Sequence, residues 1–242
     1  MKKTIVHLLF CFLAITLIPP SGYSQDVDKI RQKMIEAQGG VKLLESIKDS
    51  TLIGTMEMIQ MGLNGSVTMY QKEPNKMRMD AEIMGMTVTQ AYDGEIAWMI
   101  NPQTGAAEQL PPDVTSEIKR QAMGNDTLLH PEKYGITYAY AGKEKIGEKE
   151  YHVLEQNFSD GFKASLYIDP DTYLTYKTKA KTINQMGLEV EAESVFSGYK
   201  EINGTIVPHQ ITIYQDGEEF MIMKVTEVKY NSGLENSFFK MT

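Results

Sequence analysis

The sequence predicts a mainly β fold with a few helices, built from antiparallel strands. Along most of the chain after residue 50, apolar residues alternate with polar ones, which is the period of a strand with one buried face. Turn sequences such as Asn64-Gly65, Asp160-Gly161 and Asp216-Gly217 join the alternating segments. Connections this short make neighbouring strands antiparallel, because a parallel crossover needs about a dozen residues or more.

Helical spacing of apolar residues is confined to a few segments. A first helix is predicted over Asp26–Gln38 and ends at Gly39-Gly40, where glycine can adopt the left-handed conformation without strain. Short helical turns are predicted over 41–47 and 130–134. A second helix is predicted over Asp113–Met123. Its apolar face carries three residues, Val114, Ile118 and Ala122.

The remaining segments are predicted strands, and together they suggest three architectures. The strands are expected near 50–61, 64–72, 76–83, 86–92, 95–101, 136–142, 150–158, 161–169, 172–182, 187–199, 205–214 and 219–230. About a dozen sequential antiparallel strands can form a barrel, a sandwich or one strongly curved sheet, and periodicity alone does not choose among them. Because the chain shows neither a linker nor a repeat, residues 26–242 are predicted to form a single domain.

The first 25 residues have the pattern of a cleaved secretory signal. Lys2 and Lys3 supply the positive start, residues 5–18 form an apolar core shorter than the ~20 residues of a membrane span, and Ser24 offers a small residue before cleavage. The only cysteine, Cys11, lies inside that core, so the mature protein is expected to have neither a disulfide nor a lipid-modified cysteine. The predicted location is the periplasm.

Composition narrows the partners that we expect. The formal net charge is −8, and removal of Lys2 and Lys3 with an acid-free signal segment lowers it to −10. An acidic surface argues against binding to nucleic acid or to anionic lipid head groups. No second apolar run of spanning length follows the signal, so a soluble monomer is predicted.

Methionine is concentrated on one face of the early strands. Nine of the 16 methionines fall between Met56 and Met99. The apolar positions that share faces on these strands are Met56, Met58, Met77, Met79, Ile83, Met86, Val88, Ile96 and Trp98. These residues either pack in an ordinary core or line a cavity. Methionine is flexible and specifies a unique core poorly, but it adapts to variable apolar partners, which favours a cavity for a lipid.

Residues that could support catalysis are scarce. After cleavage the histidines are His130, His152 and His209, and none lies at metal-ligand spacing from another. We find no His-Glu-x-x-His segment, no Gly-x-Ser-x-Gly turn and no glycine-rich phosphate loop after a strand. The sequence therefore predicts a protein that is not an enzyme and has no catalytic residue, metal or cofactor.

Several short motifs resemble those of the LolA/LolB-type periplasmic lipoprotein carriers, also described as outer-membrane lipoprotein-sorting proteins. The resembling segments are Lys72-Glu73-Pro74-Asn75 followed by Met77-Arg78-Met79, then Tyr92-Asp93-Gly94 with Trp98 and Asn101-Pro102, Leu166 to Pro170 before a Tyr-Leu pair, and Phe238-Phe239. Together they cover most of the mature chain. Several carriers have an arginine before the proline that holds a helical lid shut, whereas this chain has Glu73. That role therefore does not transfer.

The resemblance implies a specific fold and function. The fold would be an incomplete barrel, in which one curved antiparallel sheet surrounds an apolar cavity that helices cover. Such a protein would carry the acyl chains of lipoproteins or other lipids towards the outer membrane, exchanging them with an inner-membrane transporter and an outer-membrane acceptor. Val114, Ile118 and Ala122 would place the second helix as a lid over the cavity. The alternative is a non-catalytic envelope sensor or adaptor that uses the same fold to bind a protein partner.

Overall fold

The computed structural model describes residues 22–183 and 188–242 of the chain. The predicted signal segment lies, as far as residue 21, outside the described residues. Four α-helices occur in the described ranges: α1 (Gly22–Ala37), α2 (Val41–Ser46), α3 (Pro112–Gln121) and α4 (Asn125–Leu129). None of these helices is long and apolar enough to span a bilayer.

The strands of the described residues follow the predicted order. They are β1 (Asp49–Met58), β2 (Leu63–Lys72), β3 (Lys76–Ile83), β4 (Met86–Tyr92), β5 (Ala97–Ile100), β6 (Ala107–Gln109), β7 (Thr137–Ile146), β8 (Lys149–Asn157), β9 (Lys163–Ile168), β10 (Thr175–Ile183), β11 (Glu189–Ser197), β12 (Lys200–Ile202), β13 (Thr205–Val207), β14 (Gln210–Gln215) and β15 (Glu218–Tyr230). Strands β6 and β12 are additions to the prediction. The strand predicted over 205–214 is split into β13 and β14, because Pro208 has no N–H to donate to a ladder.

Thirteen of these strands form one antiparallel sheet within the described residues. Their order is β6-β5-β4-β3-β2-β1-β15-β14-β11-β10-β9-β8-β7, and β12 and β13 form a separate hairpin. The two edge strands, β6 and β7, are not paired with each other, so the sheet does not close into a barrel. The first and last long strands, β1 and β15, pair at its centre. The predicted open, curved antiparallel sheet is confirmed.

Two helices pack on the same face of the sheet, which we call the inner face. On one side, Val27, Ile30 and Met34 of α1 pack against Leu154 and Ile168 of β8 and β9. On the other side, Ile118 of α3 and Ala122, the residue that caps its C-terminal end, pack against a group of buried residues formed by Met77, Tyr92 and Ala97. The helices therefore bury the two lateral parts of the inner face and leave the central strands between them.

Two glycines allow neighbouring strands to approach closely where the sheet bends. A Cβ atom at Gly54 would lie 2.3 Å from the carbonyl oxygen of Lys224 on β15, beside a bulge between Ile53 and Gly54. A Cβ atom at Gly65 would lie 2.4 Å from the carbonyl oxygen of Glu82 on β3. Bulges and interior glycines of this kind bend strands and permit close backbone approach, so these positions favour the curvature of the sheet.

The C-terminal segment packs on the opposite, outer face. The Asp49 carboxylate accepts hydrogen bonds from the backbone N–H groups of residues 232–234. The Trp98 indole N–H donates to the carbonyl oxygen of Phe239 at 2.8 Å, and the Phe239 side chain is fully buried. Arg78 lies over the Phe238 ring, 4.5 Å from its centroid. The segment thus covers the outer face of β1–β5.

Candidate functional site

The pairing of the strands defines five rows of residues that cross the inner face. Directly opposed residues of an antiparallel pair point to the same face, so each row can be followed from strand to strand. We call the end of the sheet at Met58 of β1 its upper end and the end at Ser50 its lower end. From the upper end, the first row is Leu63, Met58, Met221, Ile213, Ser194, Thr178, Leu166, Leu154 and Tyr140, and the second is Met86, Ile83, Gly65, Met56, Met223, Ile211 and Phe196. The third row is Val88, Ala81, Val67, Gly54 and Val225, the fourth is Met99, Gln90, Met79, Met69, Leu52 and Val228, and the fifth is Ala97, Tyr92, Met77, Gln71, Ser50 and Tyr230.

None of these five rows contains a charged side chain, in contrast to the outer face. On the outer face Lys177 pairs with Glu193 at 3.1 Å and Lys179 with Glu191 at 2.7 Å. Several inner residues between α1 and α3, such as Met56 and Met79, are half-buried, whereas Val67, Ala81 and Val225 of the middle row are buried. A continuous, uncharged and incompletely covered strip of this size is uncommon on a soluble protein that binds nothing apolar. We call this strip the trough.

The two halves of the sheet face one another across the trough. A cavity of about 460 Å³ is lined both by Gln90 of β4 and by Thr182 of β10, although six strands separate β4 from β10 in the sheet. The apolar side chains in its wall are Met61, Val114, Ile118, Ile183 and Phe220, and the polar ones include Gln60, Glu117, Gln121 and Gln215. Its volume lies in the usual range for small-molecule sites, about 300–1,000 Å³. Gln90 belongs to the fourth row of the trough, and Val114, Glu117, Ile118 and Gln121 belong to α3, so the cavity lies where α3 meets the trough.

Seven of the nine predicted cavity residues lie on the inner face. They are Met56, Met58, Met77, Met79, Ile83, Met86 and Val88. Met77 is 3% exposed because α3 packs over it, whereas Met86 is 57% exposed at the upper end of β4. Their contact with a ligand stays a prediction. The three predicted lid residues also face the sheet, since Ile118 and Ala122 are buried there and Val114 packs against them.

Two predicted positions are corrected by the register of β5. Tyr92 pairs with Ala97, and Ala91 pairs with Trp98, which places Trp98 on the outer face beneath Phe239. Ile96 precedes the strand, in a turn where the Asp93 carboxylate accepts a hydrogen bond from its N–H at 2.9 Å. A shift of one residue moves every side chain of a strand to the opposite face. The turn therefore places Ala97 and Met99 on the inner face and Trp98 on the outer face.

Sequence reasoning missed the other wall of the trough. Four half-buried apolar residues of β14 and β15 belong to the same rows as Met56 and Met58: Ile211, Ile213, Met221 and Met223. Alternation was visible over residues 221–225, but Ile222 on the outer face obscured it. The pairing of β15 with β1, which brings the two walls together, leaves no local signal in the sequence.

Two contacts hold the covering helices α1 and α3 in place over the trough. Arg120 of α3 donates to Asp160 in the β8–β9 turn at 2.7 Å, and its guanidinium lies 4.0 Å from the centroid of the Phe162 ring. Arg31 of α1 donates to the carbonyl oxygen of Leu128 on α4 at 3.1 Å. These bonds link the two sides of the opening through their covering helices.

Glu73 occupies the position that the family arginine would take, and it also contacts the cover. Its carboxylate accepts hydrogen bonds from the N–H groups of Asn125, at 2.6 Å, and Asp126, at 3.3 Å, which are the first residues of α4. Burial raises the pKa of the Glu73 carboxyl, and the two backbone donors oppose that shift. The carboxylate therefore caps the start of α4 from a residue 52 positions earlier in the chain, a contact that the motif alone does not indicate.

A polar and aromatic cluster lies on the inner face near α1. The Tyr140 hydroxyl is hydrogen-bonded to Nδ1 of His152 at 3.1 Å, and Lys33 of α1 donates to the Tyr173 hydroxyl at 2.9 Å. Burial lowers the pKa of His152, Lys143 and Lys33 lower it further, and Asp26 opposes the shift. Protonation of His152 is therefore disfavoured while α1 is docked.

This shift predicts that acid weakens the native state. Because the pKa of His152 is lower in the native state, the unfolded state binds more protons below its own value of about 6.5. The free energy of unfolding should therefore decrease as the pH falls below about 6.5 and be unaffected by this group above it. Urea unfolding of the wild type and of His152→Gln at several pH values tests this. An identical pH dependence in both proteins would contradict it.

Comparison with known proteins gives matches of structure and not of sequence. The sequence matches no family model and no characterised protein at a significant level. Among the described residues, no group of three His, Cys, Asp or Glu side chains is placed to hold a metal ion.

Similar folds occur in three solved structures. A DUF1329 family protein from Desulfovibrio piger aligns with a TM-score of 0.61 and 15% identity over 88% of this chain and 97% of its own. A domain assigned as an outer membrane lipoprotein-sorting protein from Vibrio parahaemolyticus aligns with a TM-score of 0.58 and 14% identity over 87% of this chain and 94% of its own. A LolA superfamily protein from Nitrosomonas europaea aligns with a TM-score of 0.59 and 15% identity over 88% of this chain and 96% of its own. The chain therefore has the fold of the LolA superfamily and of the outer membrane lipoprotein-sorting domains.

Proposed function

We propose that this protein is a non-catalytic periplasmic carrier that binds the acyl chain of a lipid or lipoprotein in the trough. The observation that carries the proposal is the set of five uncharged rows on the inner face, which α1 and α3 cover only in part. An acyl chain has no polar group along its length, so a long uncharged surface binds it by burial of apolar area. The fold shared with lipoprotein-sorting and LolA superfamily proteins supports the same class of cargo.

The choice of residues also supports a cargo over a permanent core. The centre of the trough is formed by Met56 and Met79 on one wall and Met221 and Met223 on the other. Their unbranched side chains can repack around an apolar partner, whereas well-ordered cores favour leucine, isoleucine and valine. By the same argument the fully buried residues under α1, such as Leu154 and Ile168, form the permanent core.

Export and exchange with membrane partners complete the proposal. The signal-like segment over residues 1–25 supports release into the periplasm. Cargo would be received from an inner-membrane transporter and delivered to an outer-membrane acceptor. In this scheme α3 is the movable part of the cover, because it lies over the cavity and contacts the far half of the sheet through Arg120.

The proposal predicts an affinity that depends on chain length. Each methylene buried in the trough contributes about 0.8 kcal/mol, so two additional carbons should tighten binding about tenfold until the trough is full. Titration calorimetry with a series of fatty acid methyl esters measures this, since the head group stays constant. An affinity that does not change with chain length would contradict the proposal.

The proposed movement of α3 has a separate test. Arg120→Ala removes the ion pair with Asp160 and the contact with Phe162, which together contribute about 1 kcal/mol. Hydrogen exchange of residues 112–121 should then accelerate about fivefold, because local opening becomes easier. Lys119→Ala, at an exposed neighbouring position, is the matched control. Equal exchange in both variants would show that Arg120 does not hold α3.

A further inference from the structure

The trough leads into a second cavity with different chemistry, which we call the end cavity. Its volume is about 180 Å³, and it lies between the lower ends of the central strands and the helices α2 and α4. Ser50, Gln71 and Tyr230, which form part of the last of the five rows, line its sheet side together with Leu52 from the row above. Because Leu52 lies in the rows of the trough, the end cavity continues the trough.

The end cavity contains hydrogen-bonding groups that the described part of the chain does not satisfy. Ser50 is only 9% exposed, and its hydroxyl makes no hydrogen bond with any described residue. Gln71 uses its Nε2 to donate to the carbonyl oxygen of Ala122 at 3.3 Å, which leaves its Oε1 as an acceptor. Asn125 likewise donates from Nδ2 to Leu44 at 3.4 Å and keeps its Oδ1. None of these three oxygens is buried out of reach of the cavity, so they are available to accept hydrogen bonds from a ligand with donors.

The charges of the end cavity exclude an anionic head group. Asp49 and Glu73 line it, and none of its lining residues is Lys or Arg. Both carboxylates are already engaged by backbone N–H groups, those of residues 232–234 for Asp49 and those of Asn125 and Asp126 for Glu73. A further negative charge would lie beside the Glu73 carboxylate in a partly buried site, where like charges repel strongly.

The size of the end cavity limits the head group. The end cavity has less than half the volume of the cavity beneath α3, about 180 Å³ against about 460 Å³. It therefore favours a small head group.

We propose that the end cavity binds the small head group of a single-chain amphiphile that carries hydroxyl or amide N–H donors and no negative charge, with the acyl chain lying in the trough. The inference rests on the proposed function, since the same trough holds the chain. It adds the class of head group: Ser50, Gln71 and Asn125 accept its hydrogen bonds, and Glu73 excludes a carboxylate.

The test compares three probes that share one saturated chain: a monoacylglycerol, the fatty acid and its methyl ester. Calorimetry with the full, delipidated protein at neutral pH should show the monoacylglycerol binding at least about tenfold more tightly than the ionised fatty acid. The methyl ester, which has no donor, should lie between them. A fatty acid that binds as tightly as the monoacylglycerol would overturn the inference.

Two substitutions test whether the preference for an uncharged head group arises in the end cavity. Glu73→Gln should strengthen the binding of the fatty acid relative to that of the methyl ester, and Glu57→Gln on the outer face, its control, should leave this ratio unchanged. Ser50→Ala, which leaves the cap of α4 intact, should reduce the advantage of the monoacylglycerol over the methyl ester, with Ser66→Ala as its control. Equal affinities for all three probes would remove this inference and leave the proposed function standing. No binding of any probe would remove both.

Discussion

Replacing Met79 with aspartate should weaken the binding of an acyl chain by about two orders of magnitude. Met79 pairs with Met69 and Gln90 at the centre of an uncharged row, and its side chain is half-buried. A bound chain would cover the new carboxylate, and burying an unpaired charge costs several kcal/mol. A loss of about 3 kcal/mol corresponds to a factor of about 100 in Kd.

The matched control is Met84→Asp in the turn between β3 and β4. Met84 is 74% exposed and has a φ of 52°, a left-handed conformation that aspartate tolerates. This variant should bind methyl esters of fatty acids with unchanged affinity in calorimetry. Should Met79→Asp bind as well as the control, the chain cannot lie along the row that contains Met79.

Gly65→Val should lower the free energy of unfolding by about 1–3 kcal/mol. The first side-chain atom would lie 2.4 Å from the carbonyl oxygen of Glu82 and 2.9 Å from the side chain of Ile83. The nearest contact is a backbone atom of a paired strand, which can move only if β2 and β3 separate. Urea unfolding measures the change.

Ser66→Val, at the next residue of β2, provides the control. Ser66 is exposed, and valine is favourable in a strand, so this variant should be as stable as the wild type or slightly more stable. An increase in stability for Gly65→Val would show that the strands do not need the close approach at Gly65, and would contradict the role of that glycine in bending the sheet.

Much of the fold could be predicted from the sequence because its signals are local. Alternation and short turns identified most of the strands and their antiparallel pairing. The methionines on β3 lie on the predicted face, since Met77, Met79, Ala81 and Ile83 alternate strictly with charged residues. Choosing the open curved sheet among the three candidate architectures needed the resemblance to known carriers, because periodicity does not record whether edge strands meet.

The errors arose where a single turn or a distant contact decides the outcome. Trp98 looked like an inner residue, but the turn from Asp93 to Ile96 sets the register that turns it outward. Glu73 replaces an arginine that holds the lid in several carriers, so the sequence predicted no contact with the helices. Its carboxylate nevertheless accepts a hydrogen bond from α4, 52 positions along the chain. No local pattern reports either a register or a long-range hydrogen bond.

The pairing of β1 with β15 also has a consequence for when the protein can fold. The Thr226 hydroxyl donates to the carbonyl oxygen of Ile53, a residue 173 positions earlier in the chain. The middle of the sheet is therefore incomplete until nearly the whole sequence is available, and contacts of such long range form slowly. The five rows of the inner face are therefore assembled only after the last strand has been synthesised.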